Sequence, residues 1–300
     1  MLRILYGTAG TGKSAAIRDE IRRGADSGER YILLVPEQYS HEAERELCAV
    51  CGDGLSLYAE VLSFTGLARE VSSECGGAAN EYLDKGGRLL CMALAADGLY
   101  SRLRVYGAAR RKAELQTMLL GAVDEFKSAC VTSERLLDAA ETCKGALGDK
   151  LHDLGLILEA YDGVVANGRA DPSDRLSVLA QQIGQCSMSE RTHVFVDGFT
   201  DFTAQERRVL EALLLKNVRL TMCLGCDELH GGSEVFALSR ITASALLKFA
   251  ADNGVKAQTE RRDGADDGCT QRGGGFHLPF GADGARGRNA PGDRHTAPFC

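Results

Sequence analysis

Residues 2–14 read Leu2-Arg3-Ile4-Leu5-Tyr6-Gly7-Thr8-Ala9-Gly10-Thr11-Gly12-Lys13-Ser14. A short apolar run leads into a glycine-rich turn that ends on Lys-Ser, so Gly7 to Ser14 matches G-x-x-x-x-G-K-S without a mismatch. The spacing has a physical reason. Gly7, Gly10 and Gly12 let the backbone curl until several N–H groups converge on one polyphosphate. Lys13 places a positive charge against the β- and γ-phosphates, and Ser14 offers a hydroxyl to Mg²⁺. Ala15 to Arg23 has helix-forming composition, which sets the phosphates at a helix N-terminus. The stretch therefore predicts a site for ATP and Mg²⁺ built from Gly7, Thr8, Ala9, Gly10, Thr11, Gly12, Lys13 and Ser14. The competing reading is a glycine-rich strand–helix turn that binds nothing.

Working outward, the chain of 300 residues is long enough for one large or two modest domains with a sizeable core. Its 44% hydrophobic and 26% charged residues are ordinary for a globular protein. No apolar run approaches the roughly 20 residues of a membrane span, and the short run at the start leads straight into the glycine loop rather than to a cleavage site. These features predict a cytoplasmic protein with no membrane partner. A formal net charge of −7 argues against a uniformly basic nucleic-acid binder while leaving room for a local basic groove. The eleven cysteines are expected to stay reduced in that compartment.

Along the chain, Tyr31–Val35 is a short apolar run closed by Pro36-Glu37-Gln38 and reads as a buried parallel strand. Ser40–Cys48 reads as a polar-faced helix and Leu55–Leu62 as a third strand. Ser63-Phe64-Thr65 then leads into a helix from Gly66 to about Val71. From Cys75 to Glu190 the strand signals vanish. Leu115, Met118, Leu119, Ala122 and Phe126 keep helical spacing, as do Leu151, Leu154, Leu158, Tyr161 and Val165. Asp171-Pro172-Ser173-Asp174 is a helix start, with Asp171 as N-cap and Pro172 at the first helical position. Strand signals return at His193–Val196, followed by a helix over about 204–215 and a strand over Val218–Leu224. The expected architecture is α/β: a P-loop, RecA-like parallel-sheet domain from 1–74 and 191–262, interrupted by an all-helical insertion over 75–190. Beyond it, residues 263–300 hold nine Gly and three of the chain's five Pro. That composition predicts a disordered tail, and one reading is that it is translated out of frame from a GC-rich gene.

A phosphate loop needs a carboxylate at the end of a neighbouring strand to hold the shell of the magnesium ion. Val194-Phe195-Val196-Asp197 supplies it, with Asp197 at the carboxyl edge where open α/β sheets place ligands. In DNA helicases of the corresponding type the next residue is a glutamate that activates water; here it is Gly198, which has no side chain to act as a base. Thr200 stands where those enzymes carry glutamine, and Asp201 where they carry a second aspartate. The site reads as able to hold Mg-ATP and poorly equipped to split it.

The run Val196-Asp197-Gly198-Phe199-Thr200-Asp201-Phe202-Thr203-Ala204-Gln205-Glu206 resembles the AddB family of the bacterial AddAB helicase–nucleases. The Gly7–Ser14 loop, Val35-Pro36-Glu37-Gln38-Tyr39-Ser40, Val61-Leu62-Ser63-Phe64-Thr65, Asp124-Glu125-Phe126-Lys127, Lys150-Leu151-His152-Asp153-Leu154 and the Asp171–Asp174 helix start resemble it in the same order. The likeness covers about residues 1–260. It implies a UvrD-like superfamily 1 helicase relative whose motor has decayed. Such a protein forms a heterodimer with an AddA-like helicase–nuclease and works on double-stranded DNA ends in recombinational repair. The family's PD-(D/E)XK nuclease and the cysteines of its 4Fe-4S cluster lie near the far C-terminus of much longer chains, so neither is expected in this one. One departure is Gly66, where the family commonly has arginine.

Other features carry less. Cys48-x-x-Cys51 and Cys223-x-x-Cys226 have the spacing of zinc half-sites, but Cys223 falls inside an expected buried strand. His152 and Asp153 lack a nucleophile at a completing distance. Arg110-Arg111-Lys112 reads as a solvated face or a phosphate contact. Two rival functions remain: an active ATPase drawing its carboxylate from Glu206 or Asp201, and a structural scaffold with a vestigial loop.

Overall fold

The computed structural model describes residues 1–76 and 82–263. Six strands form a single parallel sheet: β1 (Leu2–Gly7), β2 (Arg30–Leu34), β3 (Ala59–Leu62), β4 (Thr192–Val196), β5 (Arg219–Gly225) and β6 (Ala257–Arg261). Their order is β3-β2-β4-β5-β1-β6. Alternation along each strand decides which face each side chain takes. Leu2 and Ile4, Ile32 and Leu34, Val194 and Val196, and Leu220, Met222 and Leu224 form one face. That face packs against α3 (Phe64–Glu74), α8 (Arg175–Gln182), α9 (Ala204–Leu215) and α10 (Ala237–Asp252). Leu5, Tyr31, Leu33, Phe195 and Cys223 take the opposite face, under α1 (Lys13–Arg23) and α2 (Ser40–Cys51). Both faces are covered, as a parallel sheet requires.

The strands expected at 31–35, 193–196 and 218–224, and the helix at 204–215, lie within a residue of those bounds. The 55–62 run is different. Leu55 is buried but Leu57 is 89% exposed, and a turn of 3-10 helix over Leu55–Leu57 precedes β3. Helix α3 also starts earlier than expected, because the Ser63 hydroxyl caps it by accepting from the Gly66 N–H at 3.1 Å. Strand β6 has no signature in the sequence. It is an edge strand with mostly exposed residues, and it shows no apolar run. The expected disorder over 263–300 lies, apart from Asp263, outside the described residues.

A second core belongs to helices alone. In it α4 (Lys85–Gly98), α5 (Ala113–Ser128), α6 (Ser133–Thr142) and α7 (Ala146–Val165) enclose Met92, Leu119, Leu120, Val123, Leu136, Ile157, Leu158 and Tyr161. Helix α8, although inside the helical stretch, packs into the core of the sheet through Leu179. Asp153 is fully buried in α7 and accepts from the backbone N–H groups of Arg104, Val105 and Tyr106 at 2.7–3.1 Å. Burial raises its carboxyl pKa, but those three hydrogen bonds outweigh it and hold the value below the usual range. Its task is to pin the α4–α5 connection. Arg110 is likewise committed: it pairs with Asp97 at 3.0 Å and stacks over the Tyr100 ring.

Among the described residues nine cysteines are free thiols, and no group of three or more His, Cys, Asp or Glu is arranged to hold a metal ion. No described helix is long and apolar enough to cross a membrane.

Candidate nucleotide site at the carboxyl edge of the sheet

Strand β1 lies between β5 and β6, and its carboxyl end opens into the loop 7–12. Gly7 has no room for a side chain: a Cβ there would stand 2.3 Å from the Arg262 carbonyl oxygen and 2.7 Å from Thr11 Oγ1. Gly10 and Gly12 take φ of 80° and 76°, the left-handed region that favours glycine. The loop turns its carbonyls toward Lys13, whose Nζ donates to Gly7 O and Thr8 O, both at 2.7 Å, and to Thr11 Oγ1 at 3.2 Å. Helix α1 begins with no side-chain cap and no acid in its first turn, so its first N–H groups have no side-chain acceptor. An uncapped N-terminus, a left-handed glycine turn and a lysine with no carboxylate ion pair among the described residues together fit a polyphosphate.

The electrostatics agree. Burial, chiefly, holds the Lys13 ammonium below the usual lysine value, against the opposing pull of the Asp197 carboxylate. Cys223 stands on β5, directly across from Leu5 of β1, with β4 and Asp197 on its other side. Burial first, then the Asp197 charge, push its thiol well above the ordinary range, so it remains S–H beneath the loop. The sheet thus brings Lys13, Cys223 and Asp197 within electrostatic reach of one another.

Asp197 follows β4, and its N–H still donates to Leu34 O at 3.0 Å. Gly198 then takes φ of 80°, with its missing Cβ only 3.3 Å from Pro36 Cδ. The segment is fixed from behind by aromatic packing: Phe199 and Phe202 stack at 4.8 Å, and Phe64 of α3 meets them at 5.6 and 6.3 Å. Thr203 and Glu206 close a capping box at the start of α9, with the Glu206 carboxylate accepting from the Thr203 N–H at 2.8 Å and its hydroxyl at 3.0 Å. Glu206, one of the carboxylates considered for an active ATPase, is therefore engaged in starting a helix. Asp201 receives the Thr200 hydroxyl at 3.4 Å.

Gln205, buried in the same first turn, donates to Ser173 O at 2.9 Å and Ser177 Oγ at 3.0 Å. Ser173 belongs to a charged hub inside the helical region. There Arg88 of α4 reaches Asp171 at 3.0 Å, Asp124 of α5 at 3.2 Å and the Ser173 hydroxyl at 3.0 Å. Lys127 of α5 reaches Asp174 at 2.7 Å, Asp162 at 2.9 Å and Asp171 at 3.3 Å. The Tyr161 hydroxyl donates to Asp171 at 2.9 Å. Three separated sequence motifs, 124–127, 171–174 and 196–206, thus meet in space.

The structure places the expected loop and Asp197 at strand ends of one sheet edge; sequence reasoning misses Cys223 as a neighbour of Lys13, the Pro36 wall behind Gly198, and Arg262. The Arg262 N–H donates to Tyr6 O at 2.7 Å, and its carbonyl closes over Gly7. The only signal for these is position at a strand end, which needs the strand order to interpret.

A sequence profile described as "ADDB, N-terminal" matches residues 4–271. Three curated proteins, each named as a subunit of an ATP-dependent helicase/deoxyribonuclease, are similar to the chain. They come from Thermoanaerobacter sp. (strain X514), Clostridium acetobutylicum and Desulforudis audaxviator, at 33%, 30% and 35% identity over 260, 264 and 268 residues. Each alignment takes in 85–86% of this chain and 23% of the relative, so the chain spans about a quarter of their length.

Proposed function

We propose, from the premise that this chain belongs to the ADDB N-terminal family, that it is the nucleotide-holding first part of an AddB-type helicase/deoxyribonuclease protein. Its sheet acts as a RecA-like P-loop domain. The loop Gly7, Thr8, Ala9, Gly10, Thr11, Gly12 and Lys13 cradles the phosphates of ATP. Ser14 and Asp197 would hold Mg²⁺. When bound, the metal neutralises phosphate charge. The chain's own residues supply N–H donors, one ammonium and one carboxylate. The setting is the cytoplasm, at double-stranded DNA ends undergoing recombinational repair, in a heterodimer with an AddA-like partner that carries the working motor. The family's 4Fe-4S cluster and nuclease lie outside this reading.

The observation that carries a binding but non-hydrolysing site is Gly198. The position after Asp197 offers no carboxylate, and its backbone conformation and the Pro36 ring behind it disfavour one. The test is equilibrium binding of a fluorescent ATP analogue with Mg²⁺, run beside a phosphate-release assay. Binding that Lys13→Ala removes, without phosphate release, is the expected result. Phosphate release sensitive to Lys13→Ala would point to an active ATPase, and absence of binding to a scaffold.

A further inference from the structure

We propose that Gln205 is a positioning residue that couples nucleotide occupancy to the helical region, so that the charged hub around Asp171 senses whether the Asp197 side of the site is filled. The inference rests on the nucleotide reading above.

Only the short segment 198–204 separates Gln205 from Asp197, and that segment is held stiff by the Phe64–Phe199–Phe202 stack and the Thr203–Glu206 capping box. A shift of Asp197 on meeting the shell of a metal–nucleotide complex is therefore passed to the first turn of α9 rather than absorbed. At that turn the Gln205 amide donates both its hydrogens, one to Ser173 O and one to Ser177 Oγ. Ser173 in turn shares Arg88 with Asp124 and Asp171, and its N–H is held by Asp171 at 3.0 Å. Asp171 is 1% exposed and also takes Tyr161 and Lys127, so displacing it disturbs α4, α5 and α7 together. Beside Gln205 the seam between α5 and α9 opens into a cleft of about 560 Å³, lined by Asp124, Glu125, Ser128, Ala129, Thr203 and Ala204. Coupling through such a joint is reciprocal: if nucleotide biases the hub, a change in the hub biases nucleotide affinity by the same factor.

A double-mutant cycle on the full chain tests this, reading the dissociation constant of a fluorescent ATP analogue with Mg²⁺ for wild type, Tyr161→Phe, Gln205→Leu and the double variant. Tyr161→Phe removes one hydrogen bond to Asp171 at a residue outside the nucleotide site. It is expected to change affinity about fivefold in the wild-type background and by less than about twofold once Gln205 is replaced. Ser177→Ala, which removes one of the two Gln205 contacts, serves if Gln205→Leu does not fold. Amide exchange of the wild-type chain is read alongside, and protection over 124–128 and 171–177 should change when the analogue binds. Equal effects of Tyr161→Phe in both backgrounds, or tight binding with unchanged exchange at those amides, would overturn the coupling alone. No binding to wild type would overturn the nucleotide reading and the coupling with it.

Discussion

Lys13 and Lys127 are both drawn out of water, and they are solved in opposite ways. Lys127 lies in the helical hub with Asp162, Asp171 and Asp174 all within 3.3 Å. Burial alone would lower its pKa, yet hydrogen bonds to Asp174 and Asp162 and the surrounding charge raise it above the usual lysine value. Lys13 is bonded to neutral oxygens, and burial lowers its pKa. A lysine that folds with its own carboxylates is structural. One held by carbonyls, beside an uncapped helix N-terminus, keeps an unsatisfied preference for an anion. The difference separates what holds this chain together from what it can bind.

The comparison is broken most severely at Lys127. Lys127→Met leaves the buried Asp171 with Arg88 as its remaining cation and strips the partly exposed Asp162 and Asp174 of theirs, and about 1.5–3 kcal/mol of stability should disappear, measured by urea unfolding at neutral pH. A loss under about 1 kcal/mol would mean that solvent screens the hub and that its geometry is not restrictive. Lys13→Ala should do the reverse. Stability changes little, because no buried charge loses a partner, while affinity for Mg-ATP falls about 10- to 100-fold for the loss of one charged hydrogen-bond donor.

Acid probes a third buried base. His193 of β4 stacks on Phe195 at 4.0 Å, and its Nε2 lies 2.9 Å from Thr221 Oγ1. Burial, then the charges of Arg219, Arg3 and the N-terminus, depress its pKa to about 3. In the unfolded chain histidine binds a proton near pH 6.5. Between those values the unfolded state holds more protons, so stability is intact above about pH 6.5 and falls as pH drops toward 3. The loss should reach on the order of 2 kcal/mol by about pH 5. His193→Gln should remove that part of the pH dependence. An unchanged slope would place the acid sensitivity elsewhere, with the hub carboxylates the first candidates.

These contrasts also show what can be read in advance. Most of the sheet is legible because strands covered on both faces read as short continuous apolar runs, as in Tyr31–Leu34, Val194–Val196 and Leu220–Leu224, whose side chains fill the two cores. The loop is legible because glycine spacing is itself a geometric statement. The hub is not. Arg88, Lys127 and Tyr161 are ordinary residues on three helices, and only tertiary packing brings them to Asp171. Asp171 reads as an N-cap, and its carboxylate does accept from the Ser173 N–H, but local chemistry gives no hint of its other partners. Cys223 reads as a strand residue, and it is one; its place beneath Lys13 follows from β5 lying between β4 and β1, which no local pattern announces.

The subtlest test concerns Gly198, because there the two sides of the nucleotide site differ most. On the proposed reading, the Lys13 side supplies the phosphate-binding groups, and the position after Asp197 offers no carboxylate. Gly198→Glu restores the missing carboxylate in name. At φ of 80° any L-residue is strained, and the new Cβ would press on Pro36 at 3.3 Å, tighter than ordinary contact. The cost should be about 1–2 kcal/mol of stability. The strained segment can relax only by turning the residue, and that disturbs the Phe199–Phe202 stack immediately after it. A carboxylate so placed has no fixed aim at an attacking water, and general-base catalysis depends on geometry before pKa. The expected outcome is therefore a slightly destabilised protein that still binds Mg-ATP and still releases no phosphate. Gly198→Ala separates strain from charge, since it should show the same destabilisation without the carboxylate. If Gly198→Glu instead gave turnover abolished by Lys13→Ala, the loss of hydrolysis would lie in one missing side chain and not in the backbone that Pro36 and the phenylalanine stack enforce.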